Sequence, residues 1–168
     1  MMNIANMGRK LARSSALLLM TAMLAACNAS SDAPAGEPPL AGAKIGGPFT
    51  LTDQDGKTVS DTDFAGKYRL VYFGYSYCPD ICPVDLQKLM RGLSAFEKSD
   101  PARGAKIAPM FITVDPERDT PAALKAFVSR YHPRLIGLTG TPEQIAAVAK
   151  AYVVTYNKVP GSAPGRYL

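Results

Sequence analysis

The sequence predicts an α/β sandwich with a largely parallel sheet. Runs rich in β-branched and aromatic residues occupy 68–75, 106–114 and 135–138, and each precedes a segment whose apolar residues recur at helical spacing. Strands separated by single helices form right-handed crossovers with parallel strands. A length of 168 residues suits one hydrophobic core, so a single domain is expected.

An antiparallel hairpin is predicted ahead of this alternation. Phe49, Leu51 and Val59 alternate with polar residues. The dipeptide Asp55-Gly56 between them strongly favours a tight hairpin turn. The folded part of the chain should therefore begin with two short antiparallel strands.

The helix after the first long strand is expected to begin at Pro83. Proline suits the first helical position because its missing N–H would be unpaired there, and this places Cys82 at the N-cap. One apolar face follows, formed by Leu86, Leu89, Met90, Leu93 and Phe96. The positive end of this helix would favour the thiolate form of a nearby cysteine.

Later elements also have start signals. Pro121 is expected in the first turn of a second helix. Thr141 and Gln144 fit a capping box, with Pro142 at the first position of a third helix. A last extended stretch is predicted at 153–159, before a segment rich in Gly, Pro and Ser.

The N-terminal segment has the pattern of an export signal. A basic start precedes an apolar run at 16–26 that is too short to span a bilayer as a helix. Residues 24–27 (LAAC) resemble the lipobox of bacterial lipoproteins, which implies removal of residues 1–26 and lipid attachment to Cys27. Ordinary signal cleavage, which would leave Cys27 free or disulfide-bonded, is the alternative.

Residues 27–44 are rich in Ala, Ser, Pro and Gly and show no periodicity. Such a composition predicts a flexible tether, with the folded domain at 45–168. These features together predict a lipoprotein that is anchored to a bacterial membrane and faces the periplasm or extracytoplasmic space.

The charge distribution gives no sign of a nucleic-acid partner. The formal net charge is +5, but three of the 19 basic residues and none of the 14 acidic residues precede Cys27, so a chain starting there keeps about +2. No basic stripe with interleaved aromatic residues is present. The high isoelectric point is largely a property of the export signal.

Cys78 and Cys82 are the principal candidates for chemistry. Cα atoms one helical turn apart lie about 6 Å from each other, and a disulfide accepts about 4.4–6.8 Å, so the thiols can form a disulfide or share a metal ion. Thiolate pairs select soft ions, chiefly Cu(I) and Zn(II), and in an oxidising compartment a dithiol can also cycle. An inert structural disulfide is the alternative, although so short a loop would restrict the unfolded chain little.

Three motifs lie along the domain, at 72–86 (YFGYSYCPDICPVDL), 112–121 (ITVDPERDTP) and 137–140 (GLTG). In this order they resemble the SCO/SenC family of copper-binding, thioredoxin-like proteins, and the resemblance covers about 45–168. It implies a thioredoxin-like three-layer sandwich with an extra N-terminal β-hairpin. It also implies that Cys78 and Cys82 bind copper, as Cu(I) or Cu(II), and can form a disulfide. The implied role is copper delivery to the dinuclear centre of cytochrome c oxidase subunit II or another exported copper protein.

One departure from the family pattern concerns the third copper ligand. The family places a histidine, in an Asp-His dipeptide, shortly after a segment like 163–168 (APGRYL), and this sequence ends at Leu168. We therefore expect a truncated domain that lacks the family's C-terminal strand pair and helix. We also expect Cu(I) binding that is weak, or that is completed by water, a buffer thiol or a second molecule.

Other polar and sulfur-containing residues have simpler expected roles. His132 is expected to be a surface or capping residue at a helix-to-strand turn, and it is not proposed as a ligand. Asp80 should solvate its loop, while Asp115 and Asp119 should serve a strand exit and a helix start. Core packing is expected for the remaining two candidates, Met90 and Met110.

The two cysteines and the family resemblance are consistent with three functions. A copper metallochaperone is preferred because of the Cys-x-x-x-Cys loop in its family context. A thiol-disulfide oxidoreductase that acts on exported cysteine pairs is the main alternative, since the same two thiols would serve it. A thiol peroxidase, which shares the fold, fits the Cys-x-x-x-Cys-Pro arrangement less well.

Overall fold

The computed structural model describes residues 41–159. Its strands are β1 (Thr50–Asp53), β2 (Thr58–Ser60), β3 (Tyr68–Gly74), β4 (Ile107–Thr113) and β5 (Ile136–Thr139). Its α-helices are α1 (Ile81–Ser99), α2 (Pro101–Gly104), α3 (Pro121–Val128) and α4 (Pro142–Ala151), and a 3-10 turn covers Asp61–Phe64. The predicted α/β class is confirmed by this alternation.

The five strands form one mixed sheet in the order β2-β1-β5-β4-β3. The neighbouring pairs β3–β4 and β4–β5 are parallel, as predicted for strands joined by helical crossovers. The predicted hairpin of β1 and β2 is also present. It joins the sheet because β1 pairs antiparallel with β5, a contact that the sequence did not predict.

The hairpin turn at 54–57 lies at the edge of the sheet where the parallel strands begin. This placement follows from register, because β1 runs against β5 and pairs Asp53 with Leu138. The side chain of Gln54 fixes the turn there by accepting a hydrogen bond from the Gly137 backbone N–H at 2.8 Å. Gly56 adopts φ +79°, a left-handed conformation that favours glycine.

Apolar side chains fill both faces of the sheet. One cluster lies between the sheet and α4 and includes Leu51, Met110, Ile112, Leu138, Ile145 and Val148. The other lies between the sheet and helices α1 and α3 and includes Leu86, Met90, Leu93, Phe111, Leu124 and Phe127. Successive β4 residues alternate between the clusters because strand side chains point to opposite faces. The predicted core positions of Met90 and Met110 are confirmed, with 2% and 0% of their surface exposed.

The start of α1 differs from the prediction. The helix begins at Ile81 with Asp80 as its N-cap residue, so Cys82 and Pro83 lie inside the first turn. Proline is tolerated there because the first backbone N–H groups of a helix have no partner within the helix. The proline signal therefore identified the first turn correctly and its first residue wrongly.

Two other element boundaries test the sequence patterns. The capping box of α4 is confirmed, since Thr141 Oγ1 accepts from Gln144 N and Gln144 Oε1 accepts from Thr141 N. The extended stretch predicted at 153–159 forms no strand, and Val153 within it has φ +57°. A tight turn therefore follows α4.

Several predictions concern residues outside the described range 41–159. They are the signal peptide at 1–26, lipid attachment to Cys27, most of the tether at 27–44, and the expected absence of a C-terminal strand pair and helix. No helix within residues 41–159 is both long and apolar enough to cross a membrane.

Candidate functional site

The cysteine loop, defined as residues 75–82, connects the end of β3 to the first turn of α1. Cys78 N–H donates to the Tyr75 carbonyl at 3.2 Å, which closes a tight turn. The backbone N–H of Cys82 then donates to Cys78 Sγ at 3.3 Å. This sulfur therefore accepts one of the N–H groups that a helix start leaves unpaired. The two cysteines are free thiols in this structure, and their disulfide stays a prediction.

The local environment favours the thiolate form of Cys78. Partial burial raises its pKa, but hydrogen bonds from the Cys82 thiol and from the backbone amides of Asp80, Cys82 and Ile81 outweigh burial and lower it overall. Donors aimed at a sulfur stabilise its negative charge, as expected at the N-terminal end of a helix. Cys78 is also the more exposed of the two cysteines.

Cys82 has the opposite preference. Burial, and then its hydrogen bond to Cys78, raise its pKa to about 11. Only 5% of its surface is exposed. The pair is therefore asymmetric, with a partly exposed sulfur that ionises readily beside a buried thiol that holds its proton.

Two aromatic rings and a glycine pack close to Cys82. The pKa of Tyr72 is raised by burial and by its closeness to Cys82, and its ring stacks on Phe111 with centroids 6.2 Å apart. Gly74 lies close to both rings and to the sulfur, because a Cβ there would be 3.0 Å from Tyr72 Cε1, 3.1 Å from Phe111 Cε2 and 3.3 Å from Cys82 Sγ. Glycine at this position leaves room for the buried sulfur.

The other side of the cysteine loop is held by the turn after β4. Asp119 is fully buried and accepts hydrogen bonds from Ser76 N at 2.9 Å, from Ser76 Oγ and from Thr113 Oγ1 at 2.6 Å. The guanidinium carbon of Arg118 lies 5.0 Å from the centre of the Tyr77 ring. These residues were not among the predicted site residues, although two of the three motifs contain them.

The structure corrects the predicted role of Asp119. The turn itself exists, since the backbone N–H of Asp119 donates to the Asp115 carbonyl at 3.0 Å. The side chain of Asp119, however, contacts the cysteine loop, and Thr120 is the residue that caps α3. Sequence reasoning missed this contact because Ser76 and Asp119 are 43 residues apart.

His132 lies at the edge of the sheet opposite the cysteine loop. It precedes β5, whereas the cysteines follow β3, and these strands run in the same direction within the sheet. Its Nδ1 accepts from Arg134 N at 3.1 Å, so its Nε2–H donates to Glu97 Oε2 at 3.1 Å. His132 thus accepts a backbone N–H within the turn, whereas the preceding helix has Ser129 as its C-cap residue. The predicted surface position is wrong because only 6% of the residue is exposed.

The opening of the site is apolar. Tyr77, Ile81 and Val84 lie next to or near the two cysteines in the chain and expose 57%, 58% and 44% of their surfaces. Asp80 is also exposed, and its side chain makes no capping hydrogen bond. Within residues 41–159, no group of three His, Cys, Asp or Glu side chains is arranged to hold a metal ion.

A comparison with known families decides the assignment of this fold and loop. The family model described as SCO1/SenC matches residues 37–168. The chain belongs to the SCO1/SenC family. The three resembling motifs all lie within the matched range, so the resemblance drawn from them is confirmed.

Curated SCO1/SenC relatives share close to half of the aligned residues. SenC from Rhodobacter capsulatus is 50% identical over 116 residues, which are 69% of this chain and 51% of that protein. SCO1 homolog 1 from Arabidopsis thaliana is 49% identical over 123 residues, 73% of this chain and 36% of that protein. The chain thus spans between about a third and a half of these relatives' length.

Solved SCO structures have the same fold. Copper-bound ScoI from Arabidopsis thaliana matches with a TM-score of 0.68 and 44% identity over 74% of each chain. Copper-bound ScoI from Bradyrhizobium japonicum gives 0.67 and 47%, over 73% of this chain and 75% of its own. BsSco, described as having a disulfide switch and as a member of a family of cytochrome c oxidase assembly proteins, gives 0.56 and 28% over 68% of each chain. The thioredoxin-like α/β fold is thereby confirmed.

Proposed function

We propose that this chain is a copper metallochaperone domain that carries Cu(I) on Cys78 and Cys82. The observation that carries the proposal is the asymmetric thiol pair at the start of α1, where the Cys82 N–H and neighbouring amides stabilise charge on Cys78 Sγ. Cu(I) is a soft ion that prefers thiolate ligands and accepts low coordination numbers. Two sulfurs in one loop therefore fit this cargo.

The copper-bound ScoI structures and the family membership support the choice of copper over zinc. The different exposure of the two thiols also suits the transfer of copper to an acceptor. Cys78 is the more exposed of the two thiols, so an incoming ligand could replace this sulfur first, and Cu(I) tolerates the low coordination number that such an exchange requires. The family resemblance supports a histidine as the third ligand beside the two cysteines.

The proposed acceptor is the dinuclear copper centre of cytochrome c oxidase subunit II or another exported copper protein. The description of BsSco as belonging to a family of oxidase assembly proteins supports this class of acceptor. The exposed apolar residues Tyr77, Ile81 and Val84, near the thiols in the chain, suit contact with a protein surface. Lipid attachment at Cys27, on the periplasmic or extracytoplasmic side of a membrane, would keep the domain close to a membrane-bound acceptor.

Cu(I) titration of the reduced domain tests the proposal. The protein should take up one Cu(I) per chain with weak affinity in competition with a chromophoric Cu(I) chelator, and Cys78→Ser and Cys82→Ser should each abolish this uptake. His132→Ala is the matched control, because its ring lies at the opposite edge of the sheet and should leave the affinity unchanged. Cu(I) uptake that survives Cys78→Ser would contradict the proposal.

A second candidate function is thiol-disulfide exchange with an exported cysteine pair. The lowered pKa of Cys78 and its greater exposure favour it as the attacking sulfur, with Cys82 resolving the mixed disulfide. Turnover of a disulfide-containing peptide from the acceptor would support this function. Stoichiometric copper transfer to the acceptor without any change in its cysteine oxidation state would count against it.

A further inference from the structure

The turn after β4 contains a fully buried carboxylate. Asp119 has 0% of its surface exposed, and its two oxygens accept three hydrogen bonds, from the backbone N–H and hydroxyl of Ser76 and from the hydroxyl of Thr113. A buried carboxylate is retained only where donors compensate for the lost water. Two of its three donors belong to one residue of the cysteine loop.

The hydrogen bonds of Thr113 fix the position of the Asp119 carboxylate. Thr113 Oγ1 accepts from Asp115 N at 2.9 Å, so its single proton is directed to Asp119. Thr113 is the last residue of β4, which pairs with Gly74 at the end of β3. Asp119 therefore links the end of β4 to Ser76, which lies two residues before Cys78 in the cysteine loop.

The neighbouring residue holds the same stretch of loop. Arg118 pairs with Asp115 and places its guanidinium carbon 5.0 Å from the ring centre of Tyr77 and 5.8 Å from that of Tyr75. Consecutive residues of one turn thus contact three consecutive residues of the loop. The Tyr75 carbonyl in this stretch accepts the Cys78 N–H, so the contacts continue to the thiol.

We propose that Asp119 is a positioning residue for the cysteine pair. By fixing the backbone of Ser76, it aims Cys78 Sγ at the Cys82 N–H in the first turn of α1. Without this constraint the loop can rotate, and Cys78 Sγ loses its hydrogen bond from the Cys82 N–H. The copper aspect of this inference rests on the proposed function, whereas the geometry of the thiol pair does not.

Asp119→Ala is the most direct test because it removes all three hydrogen bonds. Asp119→Asn is the conservative variant, because its amide oxygen can still accept from the Ser76 N–H and from Thr113 while its NH₂ group can donate to Ser76 Oγ. Ser76→Ala removes only the hydroxyl contact and is the milder variant.

The matched control is Glu97→Gln. Glu97 is a partly buried carboxylate whose partners, His132 and Arg134, lie at the opposite edge of the sheet. Its replacement should lower the stability of the domain without moving the cysteine loop. Urea unfolding of every variant separates loss of stability from loss of positioning.

The first readout is the equilibrium of the Cys78–Cys82 pair with glutathione, which needs no copper. In this reaction, two electrons and two protons pass from the dithiol to glutathione disulfide, and the products are one protein disulfide and two glutathione thiols. Asp119→Ala should favour the disulfide about tenfold more than wild type, which corresponds to a reduction potential about 30 mV more negative, and Asp119→Asn should shift it less. The second readout is Cu(I) affinity, expected to fall about tenfold or more.

The outcomes separate the two proposals. A shifted thiol equilibrium in Asp119→Ala, with Glu97→Gln unchanged, supports positioning. This holds even if wild type takes up no Cu(I), a result that would overturn only the copper function. A folded Asp119→Ala domain whose thiol equilibrium stays within about twofold of wild type overturns positioning. If Asp119→Ala does not fold, Ser76→Ala decides, since a smaller shift in the same direction supports the proposal and an unchanged value overturns it.

Discussion

The Cα of Gly74 lies so close to Cys82 that a Cβ on this glycine would come within 3.3 Å of the buried sulfur. The last residue of β3 is thereby packed against the first turn of α1. Tyr72 and Phe111 close the same space from the side, at 3.0 Å and 3.1 Å from that Cβ position. The packing at this glycine therefore limits where the second thiol can lie.

Gly74→Ala should destabilise the domain and disturb Cys82. Its methyl group forces a shift of the sulfur or of the two rings, and overpacking of this kind costs about 1–3 kcal/mol. Gly92→Ala is the control, because a Cβ there meets nothing within 4 Å and alanine is the better helix former. Urea unfolding should rank Gly74→Ala below wild type and Gly92→Ala at or above it. Equal stabilities for Gly74→Ala and wild type would show that the packing around Cys82 can accommodate a methyl group.

Alkylation of the reduced protein should distinguish the two thiols by pH. A lowered pKa moves the rise in rate to lower pH and a raised pKa moves it to higher pH, so Cys78 should react first and Cys82 only near its value of about 11. Peptide mass spectrometry after iodoacetamide pulses measures both. Cys82→Ala should move the Cys78 profile to higher pH because a donor to its sulfur is lost. Identical profiles for the two cysteines in wild type would contradict the asymmetry.

His132→Ala should lower stability and leave copper uptake intact. The change removes the hydrogen bonds to Glu97 and to the backbone of Arg134, and loss of such buried contacts costs about 1–3 kcal/mol. Thermal or urea unfolding measures the loss, and chelator competition measures Cu(I) affinity. A weaker copper site in a folded His132→Ala domain would show that this histidine acts on the cysteine loop after all.

Thr141→Ala tests the start of α4. Both reciprocal hydrogen bonds of the capping box depend on Thr141 and Gln144, and loss of an N-cap side chain costs about 1 kcal/mol. The helix supplies Ile145 and Val148 to the core, so the loss should appear in global unfolding. Thr155→Ala, at an exposed position outside any helix or strand, should be neutral by comparison.

Local patterns in the sequence were enough to predict the junction that carries the cysteines. The aromatic run before Cys78, the proline after Cys82 and the capping box at Thr141 all act on neighbours within one helical turn or one strand, so their physical effects are visible in sequence. The pairing of β1 with β5 depends instead on contacts between distant segments. No local signal could reveal it.

The residues that hold the cysteine loop and the buried histidine in place were not predicted, because their partners are also distant in sequence. Asp119 in isolation fits a turn, and only the folded chain brings Ser76 to its carboxylate. His132 was expected to be a surface or capping residue because it lies at a helix-to-strand turn, yet it is buried and donates a hydrogen bond to Glu97, 35 residues earlier in the chain. Polar residues that join distant segments are the ones whose roles need a three-dimensional structure.

The hairpin turn around Gly56 offers a practical handle on the molecule. It lies at the edge of the sheet opposite the thiols, and a side chain at Gly56 would meet nothing within 4 Å. A tag or dye on a neighbour of Gly56, so that the glycine keeps its left-handed conformation, would leave the surroundings of Cys78 clear. Protein immobilised there would present its thiols to solution, so encounters with candidate acceptors could be followed on a sensor surface.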